Sequence, residues 1–427
     1  MKITINQKNL AKFNIFVLFY YIVTNTMCYA FNFNKILLYL GEIFNIILFI
    51  LILKYSRNKK TYGRLSITLL ILYTILGLFS NLANFENVFL VFWGLKNIIH
   101  YILFFYSCSN ILKREDMQKV MTIFQYMFFL SFPLSIYQHF FVKYPTGTII
   151  GDQVGGIFFT YPGCNVPLHT LILVYVTYQI INYFQGKENI KKFLIVTIIG
   201  IAMAIMAELK IFILEYILLI IYAFLSSRVS IKALIGIIVL IAILFLSISY
   251  FVKFNDNGAK YSDNFTINGM VNIMTRDSGY DGVGDLNRLT GIKVINDNNE
   301  MFINKYFNRL FGIGLGNAEY SNLYNSNYYI ENNKTHYQWF QAIWTYIETG
   351  YIGLIIYISV FISIIINSNK IKQIEIKKYV KILAIISVGL IFYNNTLRID
   401  ASAFIMYFIL SSVYYIRKEE IENEENT

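Results

Sequence analysis

Residues 34–64 read NKILLYLGEIFNIILFILILKYSRNKKTYGR. An apolar run of roughly 20 residues, the length a helix needs to cross a hydrocarbon core, passes directly into Lys54, Arg57, Lys59, Lys60 and Arg64. The same pattern recurs from end to end. Apolar runs near 13–30, 34–54, 65–83, 87–107, 120–142, 165–184, 193–209, 210–227, 233–252, 350–368, 379–396 and 402–416 predict twelve transmembrane helices. The 427-residue chain is 56% hydrophobic and only 14% charged, whereas a soluble domain has roughly 25% charged residues. The composition therefore predicts an all-α polytopic protein embedded in a lipid bilayer.

The lysines and arginines set its orientation. Lys2, Lys8 and Lys12 precede the first run, and Lys113, Arg114 and Lys119 follow the fourth. Lys187, Lys191 and Lys192 follow the sixth, Arg228 and Lys232 the eighth, Lys370, Lys372, Lys377 and Lys378 the tenth, and Arg417 and Lys418 the twelfth. Every second loop is basic, and short loops rich in Lys and Arg stay in the cytoplasm, so both termini are expected there. The rhythm also divides the 193–227 run at an outer turn, Glu208-Leu209-Lys210. The net charge of +11 is then mainly an orientation signal, and nucleic-acid binding is not needed to explain it. No short apolar segment with a small-residue cleavage site opens the chain, so no removed signal peptide is expected. Three scattered cysteines without CxxC, and four histidines without HExxH, indicate neither a disulfide framework nor a metal site.

One connection is long. Residues 253–337 are polar, rich in Asn, Asp, Gly and Tyr, and fall on the outer side. The organisation predicted is helices one to nine over 1–252, an external loop over 253–337, helices ten to twelve over 338–416 and a cytoplasmic tail over 417–427. Amphipathic stretches such as 291–311 predict short helices, hence an ordered cap. At its end, Thr335 and Gln338 have the spacing of a capping box, which predicts a helix starting at His336 and running through Gln341, Trp344 and Glu348 on one face. A histidine there suits general-base work, although an interfacial histidine beside ordinary interfacial tryptophans accounts for the same residues. Gly312, Gly314 and Gly316 alternate just upstream and read first as a plain tight turn, or else as backbone that approaches a ligand closely. They make no dinucleotide fingerprint, because Asn317 stands where its third glycine would fall. Arg276, Arg288, Arg309 and Arg398 lie on the outer side, where orientation does not call for them, and guanidinium suits phosphate oxygens. Arg398 and Asp400 are close enough to pair with each other. Glu208 with Lys210, and Lys96 with His100, place charges at membrane level, where they are costly and point to function or to structural pairing. Residues 151–158, with Gly155 and Gly156, form a second outer loop.

Taken together the pattern resembles the O-antigen polymerase and ligase superfamily, including the Wzy-type capsular and exopolysaccharide polymerases. The matching features are the late external loop, Gly312, Gly314 and Gly316, then His336, then Glu348, Gly350, Gly353 and Leu354, with Arg288 upstream. The stretch from Tyr137-Gln138 to Gly155-Gly156-Ile157-Phe158 and the 207–210 turn are similar to the capsular branch. The resemblance implies a GT-C-like glycosyltransferase in the bacterial plasma membrane that needs no metal or other cofactor. Its substrate would be an undecaprenyl-pyrophosphate-linked oligosaccharide. His336 would be the base, and Arg288, more weakly Arg309 and Lys210, with Glu348 and the three glycines, would hold the substrate. A chain-length regulator is a candidate partner. The chain departs from the family at Gln153 and Val154, where an arginine is frequent; Lys143 and Lys210 are the nearby cations. A lipid-linked oligosaccharide flippase and a ligase are the alternatives; the long late loop argues against the first.

Overall fold

The computed structural model describes residues 6–57, 60–227, 234–239, 242–243, 246, 285–298, 301–302, 304–321 and 323–425. Among these residues every regular element is helical. The chain runs through α1 (Gln7–Ala30), α2 (Ile36–Tyr55), α3 (Arg64–Ala83), α4 (Val88–Ile111) and α5 (Arg114–Phe140). After a loop with two 3-10 turns come α6 (Asn165–Phe184), α7 (Ile190–Met206) and α8 (Lys210–Leu225). The segment before the last three long helices carries α9 (Gly291–Asp297), α10 (Lys305–Phe311) and α11 (Asn327–Asn332), and the chain closes with α12 (Gln341–Ser368), α13 (Ile374–Tyr393) and α14 (Asp400–Glu425).

Six helices, α1 to α5 and α12, are long and apolar enough to cross a membrane, which makes the chain a multi-pass helical membrane protein. The predicted spans at 165–184, 193–209, 210–227, 379–396 and 402–416 coincide with helices α6, α7, α8, α13 and α14. The ninth, 233–252, falls largely outside the described residues, as do Arg276 and the first part of the external loop. The break between α7 and α8 lies at the expected turn, with Glu208 in the left-handed region (φ 52°). Helices α6 and α14 are apolar and buried along most of their length, as helices at the centre of a bundle must be. Helix α14 packs on α4, α1, α6 and α13.

Two sequence expectations need correction. The last predicted helix, 402–416, runs on to Glu425, so residues 417–425 are the last turns of α14. Glu419 accepts from the Arg114 amide (3.0 Å) and Glu420 from the Lys372 and Gln373 amides. Acidic side chains thus satisfy orphan N–H groups at the starts of α5 and α13. Nor does a helix start at His336. Thr335 donates to the Asn332 carbonyl (2.8 Å) and Gln338 to the Ala318 carbonyl (2.7 Å), so neither is available for a capping box. His336 is left-handed (φ 54°), Tyr337–Trp339 form a 3-10 turn, and the α-helix begins at Gln341.

Helix α12 is itself broken. Gly350 has φ 64° and ψ −167°, and the chain folds back there so far that the Gln341 amide group reaches the Tyr357 hydroxyl (2.9 Å). In an unbroken helix residues sixteen apart would lie about 24 Å apart along the axis. The short arm before Gly350 serves the cap as its central post. Ile343, Tyr346 and Ile347 pack with Leu286, Ile295, Phe302, Ile313 and Tyr337 in a second apolar core, separate from that of the bundle. A Cβ on Gly350 would overlap the Leu310 carbonyl, whereas nothing lies near one on Gly389 in α13. We therefore expect Gly350→Ala to cost about 2 kcal/mol or more through left-handed strain and collision, and Gly389→Ala to be neutral or stabilising by about 0.5–1 kcal/mol. Thermal unfolding of the two variants in detergent compares them, and equal midpoints would remove the break from the stability of the fold.

Candidate functional site

The break at Gly350 leaves the carbonyls of the preceding turn without helical partners, and the glycine segment takes them. The Ile313 amide donates to the Ile347 carbonyl and the Gly314 amide to the Glu348 carbonyl, both at 2.9 Å. Gly312, Gly314 and Gly316 all have positive φ (78°, 106° and 81°), and a Cβ on any of them would collide with Glu348, Asn81 or the Leu90 carbonyl respectively. The glycines are therefore closely approached by α12, α3 and α4, neither a plain turn nor an approach to a ligand. Leu315 fills a notch opened by Gly77 of α3 and Gly94 of α4. Neither of those glycines entered the sequence reading, although a glycine inside an apolar helix is a sign of close packing.

Beneath this segment lies a buried ionic cluster. Glu348 has no exposed side-chain surface; it accepts from the Gly316 amide (3.0 Å) and from Arg398 (2.5 Å). Arg398 reaches Glu319 as well (3.3 Å) and lies over the Trp344 ring, 4.2 Å from its centroid. Glu319 takes a further hydrogen bond from Asn97. Of the predicted face of Gln341, Trp344 and Glu348, the last two both meet Arg398, while Gln341 bonds the Tyr357 hydroxyl. Arg398 does not pair with Asp400 as expected: Asp400 instead accepts from Tyr101 (2.8 Å) and meets His100 (3.3 Å). Glu348, expected to hold substrate, is fully buried and its carboxylate is taken up by the Gly316 amide and Arg398. A cavity of about 20 Å³ beside Arg398, Tyr73, Gln341 and Thr345 is large enough for about one water molecule.

The exposed chemistry sits where the cap meets the end of α13. The Leu286 amide donates to the Thr335 carbonyl (2.9 Å), which lays residues 285–288 beside 335–336. His336 Nδ1 is 2.9 Å from Asp285 Oδ1, and the imidazole stacks on Trp339 with 4.2 Å between ring centroids. A carboxylate only accepts, so Nδ1 carries the proton and Nε2 of the neutral ring keeps its lone pair. The His336 side chain is 43% exposed while Asp285 is 10% exposed, the arrangement of an oriented base open to a ligand. Arg288, one turn from Asp285, donates from Nε to the Tyr393 carbonyl (2.9 Å), and its guanidinium lies over the Tyr393 and Phe340 rings. Asp285 was not singled out in sequence; its only signal was its place three residues before Arg288.

The weaker candidates lie elsewhere. Arg309 donates to the Asn296 carbonyl inside the cap. Lys210 opens α8 beside Glu208, whose side chain packs on Gly151 of the loop between α5 and α6. Burial raises the Glu208 carboxyl, and Lys210 pulls it back. That loop is fixed by Gln138, which accepts from the Gly155 and Gly156 amides (3.0 and 2.7 Å). Lys96 pairs with Glu42 at 3.0 Å. No group of three or more metal-ligating side chains occurs among the described residues.

The fold and site thus define a multi-pass helical membrane protein with a structured polar cap that presents an oriented histidine. Compared with protein-family models, curated proteins and solved structures, the chain matches none.

Burial, then the neighbouring Glu348, pushes the Glu319 carboxyl up to about 7, against the pull of Arg398. A carboxyl raised in the fold contributes stability that is complete below its unfolded value, near 4.3, and is lost as pH rises towards 7. We expect the thermal midpoint of the wild-type chain to fall between pH 5 and 8 more steeply than that of Glu319→Gln. Parallel pH profiles would show that Glu319 does not titrate in this range.

Proposed function

We propose that the chain polymerises undecaprenyl-pyrophosphate-linked oligosaccharide repeat units into a capsular, exopolysaccharide or O-antigen polymer. On this reading it spans the bacterial plasma membrane twelve times in a GT-C-like arrangement, with both termini in the cytoplasm and the cap outside. The observation that carries the reading is the His336–Asp285 pair, with imidazole Nε2 open to a ligand and Arg288 on the adjoining turn.

The chemistry suits such a site. His336 Nε2 takes the proton of an acceptor hydroxyl, the hydroxyl oxygen attacks the anomeric carbon of the donor, and the bond from that carbon to the pyrophosphate oxygen breaks with inversion. The lipid pyrophosphate leaves with the bonding pair, and a guanidinium at Arg288 is suited to its oxygens. Because pyrophosphate is already a good leaving group, positioning and charge stabilisation supply the catalysis. Asp285 is a positioning residue that holds the imidazole in one tautomer and rotamer.

The test is the size profile of lipid-linked saccharides, resolved by leaflet, in cells with and without the protein. Loss of the protein should leave single repeat units on the outer leaflet and no ladder. Units trapped on the inner leaflet would make it a flippase, and long lipid-linked chains that are never transferred would make it a ligase. Within this assay His336→Ala should abolish polymer from a protein that still inserts, and Arg288→Lys should impair it more than Arg276→Lys. Asp285→Asn should lower kcat at least tenfold with little change in KM, since orientation and not binding is lost. Full polymer from a well-expressed His336→Ala protein would remove the histidine from the mechanism.

A further inference from the structure

Helix α10 is amphipathic the wrong way round for a helix in water. At about 100° per residue, Tyr306, Phe307, Leu310 and Phe311 share one half of its circumference, and Lys305, Asn308 and Arg309 the other. The polar half is the one turned to the cap. Asn308 is buried, and Arg309 donates to the Asn296 carbonyl. The apolar half faces outward and towards α3. Tyr306 is 81% and Leu310 48% exposed, while Phe307 and Phe311 lie against Phe79, with ring centroids 6.1 and 5.7 Å away.

Two helices give the depth of this face. Helix α12 runs from Gly350 to Ser368, about 27 Å, so Gly350 stands near the cap-side edge of a hydrocarbon core about 30 Å thick. A Cβ on Gly350 would overlap the backbone of Leu310 and Phe311, which places the end of α10 at that edge. On α3, Ser80 donates to the Phe311 carbonyl, and Ser80 lies about 24 Å along the helix from Arg64 at its other end. The two measures agree. Phe79 belongs to a helix apolar enough to cross the membrane and is itself half exposed. Its face continues through Leu82 (72% exposed) to Phe85 (95% exposed) in the turn before α4. The exposed stripe of α10 is thus continuous with the outward apolar side of α3.

We infer that α10 and the α3–α4 turn lie in the headgroup boundary of the bilayer, so that lipid and not water covers Tyr306, Leu310, Leu82 and Phe85. A helix with its apolar side set about 5–10 Å into that boundary and its polar side turned away is an interfacial helix. Tyrosine suits the position because its ring is apolar and its hydroxyl reaches the headgroups. The bilayer that α3 crosses already borders this face, which is the reason to assign lipid as its occupant. The placement is independent of the reaction assigned to His336. It bears on the cap directly, because α10 leads into the Gly312–Gly316 segment that receives α12, and a lipid contact there sets the height of the cap on the membrane.

The three cysteines of the chain are buried, so an introduced cysteine reports its own position, with the unsubstituted chain as background. Tyr306→Cys, Leu310→Cys and Phe85→Cys, each full-length and carrying a nitroxide, are placed in nanodiscs of phosphatidylethanolamine and phosphatidylglycerol. Glu331→Cys, at an exposed position of α11, is the aqueous reference. Power saturation compares collisions with oxygen, which concentrates in lipid, and with a nickel chelate, which stays in water. At all three positions the ratio of oxygen to nickel collisions is expected to exceed that at Glu331 roughly threefold or more. Ratios equal to the reference would put α10 in water and overturn the placement. Low collision rates with both reagents would overturn it as well, since protein would then cover the face. A lipid-like ratio at Phe85 alone would leave α3 in the membrane and return α10 to the aqueous cap.

Discussion

A single buried carboxylate holds this molecule together at its most irregular point. Glu348 stands at the end of a helical arm that Gly350 folds back on itself, and it accepts from both the Gly316 amide and Arg398. An isolated carboxylate at zero exposure is untenable; paired and fully hydrogen-bonded it becomes a fixed joint. Through that joint pass the glycine segment, the arm of α12 and the turn after α13. The glycine segment in turn wedges Leu315 between α3 and α4, so the cap is keyed into the bundle instead of resting on it.

The joint explains why the exposed site can be well defined although it stands on turns. His336 and Asp285 belong to non-helical segments, yet each lies on something rigid. Tyr337 is buried in the second core with its hydroxyl on the Ala318 carbonyl, and Leu286 is in the same core. Ala318 immediately precedes Glu319, a member of the ionic cluster. The positions of His336 and Asp285 are thus set by the packing and charge around them, the support a preorganised site requires. The separation of roles is clear: the outer pair is open to a ligand, and the inner cluster is closed.

Much of this was legible in the residues. Most described helix positions followed from apolar run length, with the Lys and Arg rhythm separating α7 from α8, and the short helices of 291–311 followed from their amphipathic pattern. His336 was conspicuous because it ends a polar loop where a helix enters the bilayer. Asp285 and Glu319 were not, because nothing local distinguishes a carboxylate that will meet a histidine 51 residues away from one that will face water. The capping-box reading failed for a related reason. Thr335 and Gln338 had the right spacing, but the Ala318 carbonyl and the burial of Tyr337 won over local propensity.

The sequence by itself determined that this is a helical protein of the membrane, where most of its described long helices lie and which segment is polar. Those properties depend on run length, charge and neighbours along the chain. Tertiary structure alone decided that Glu348 is a structural anchor, that the three glycines receive helices and not a ligand, that Arg398 turns inward to two carboxylates, and that His336 has an aspartate to orient it. Each is a contact between distant segments, fixed by close packing of backbone on backbone and by the need to pair every charge removed from water.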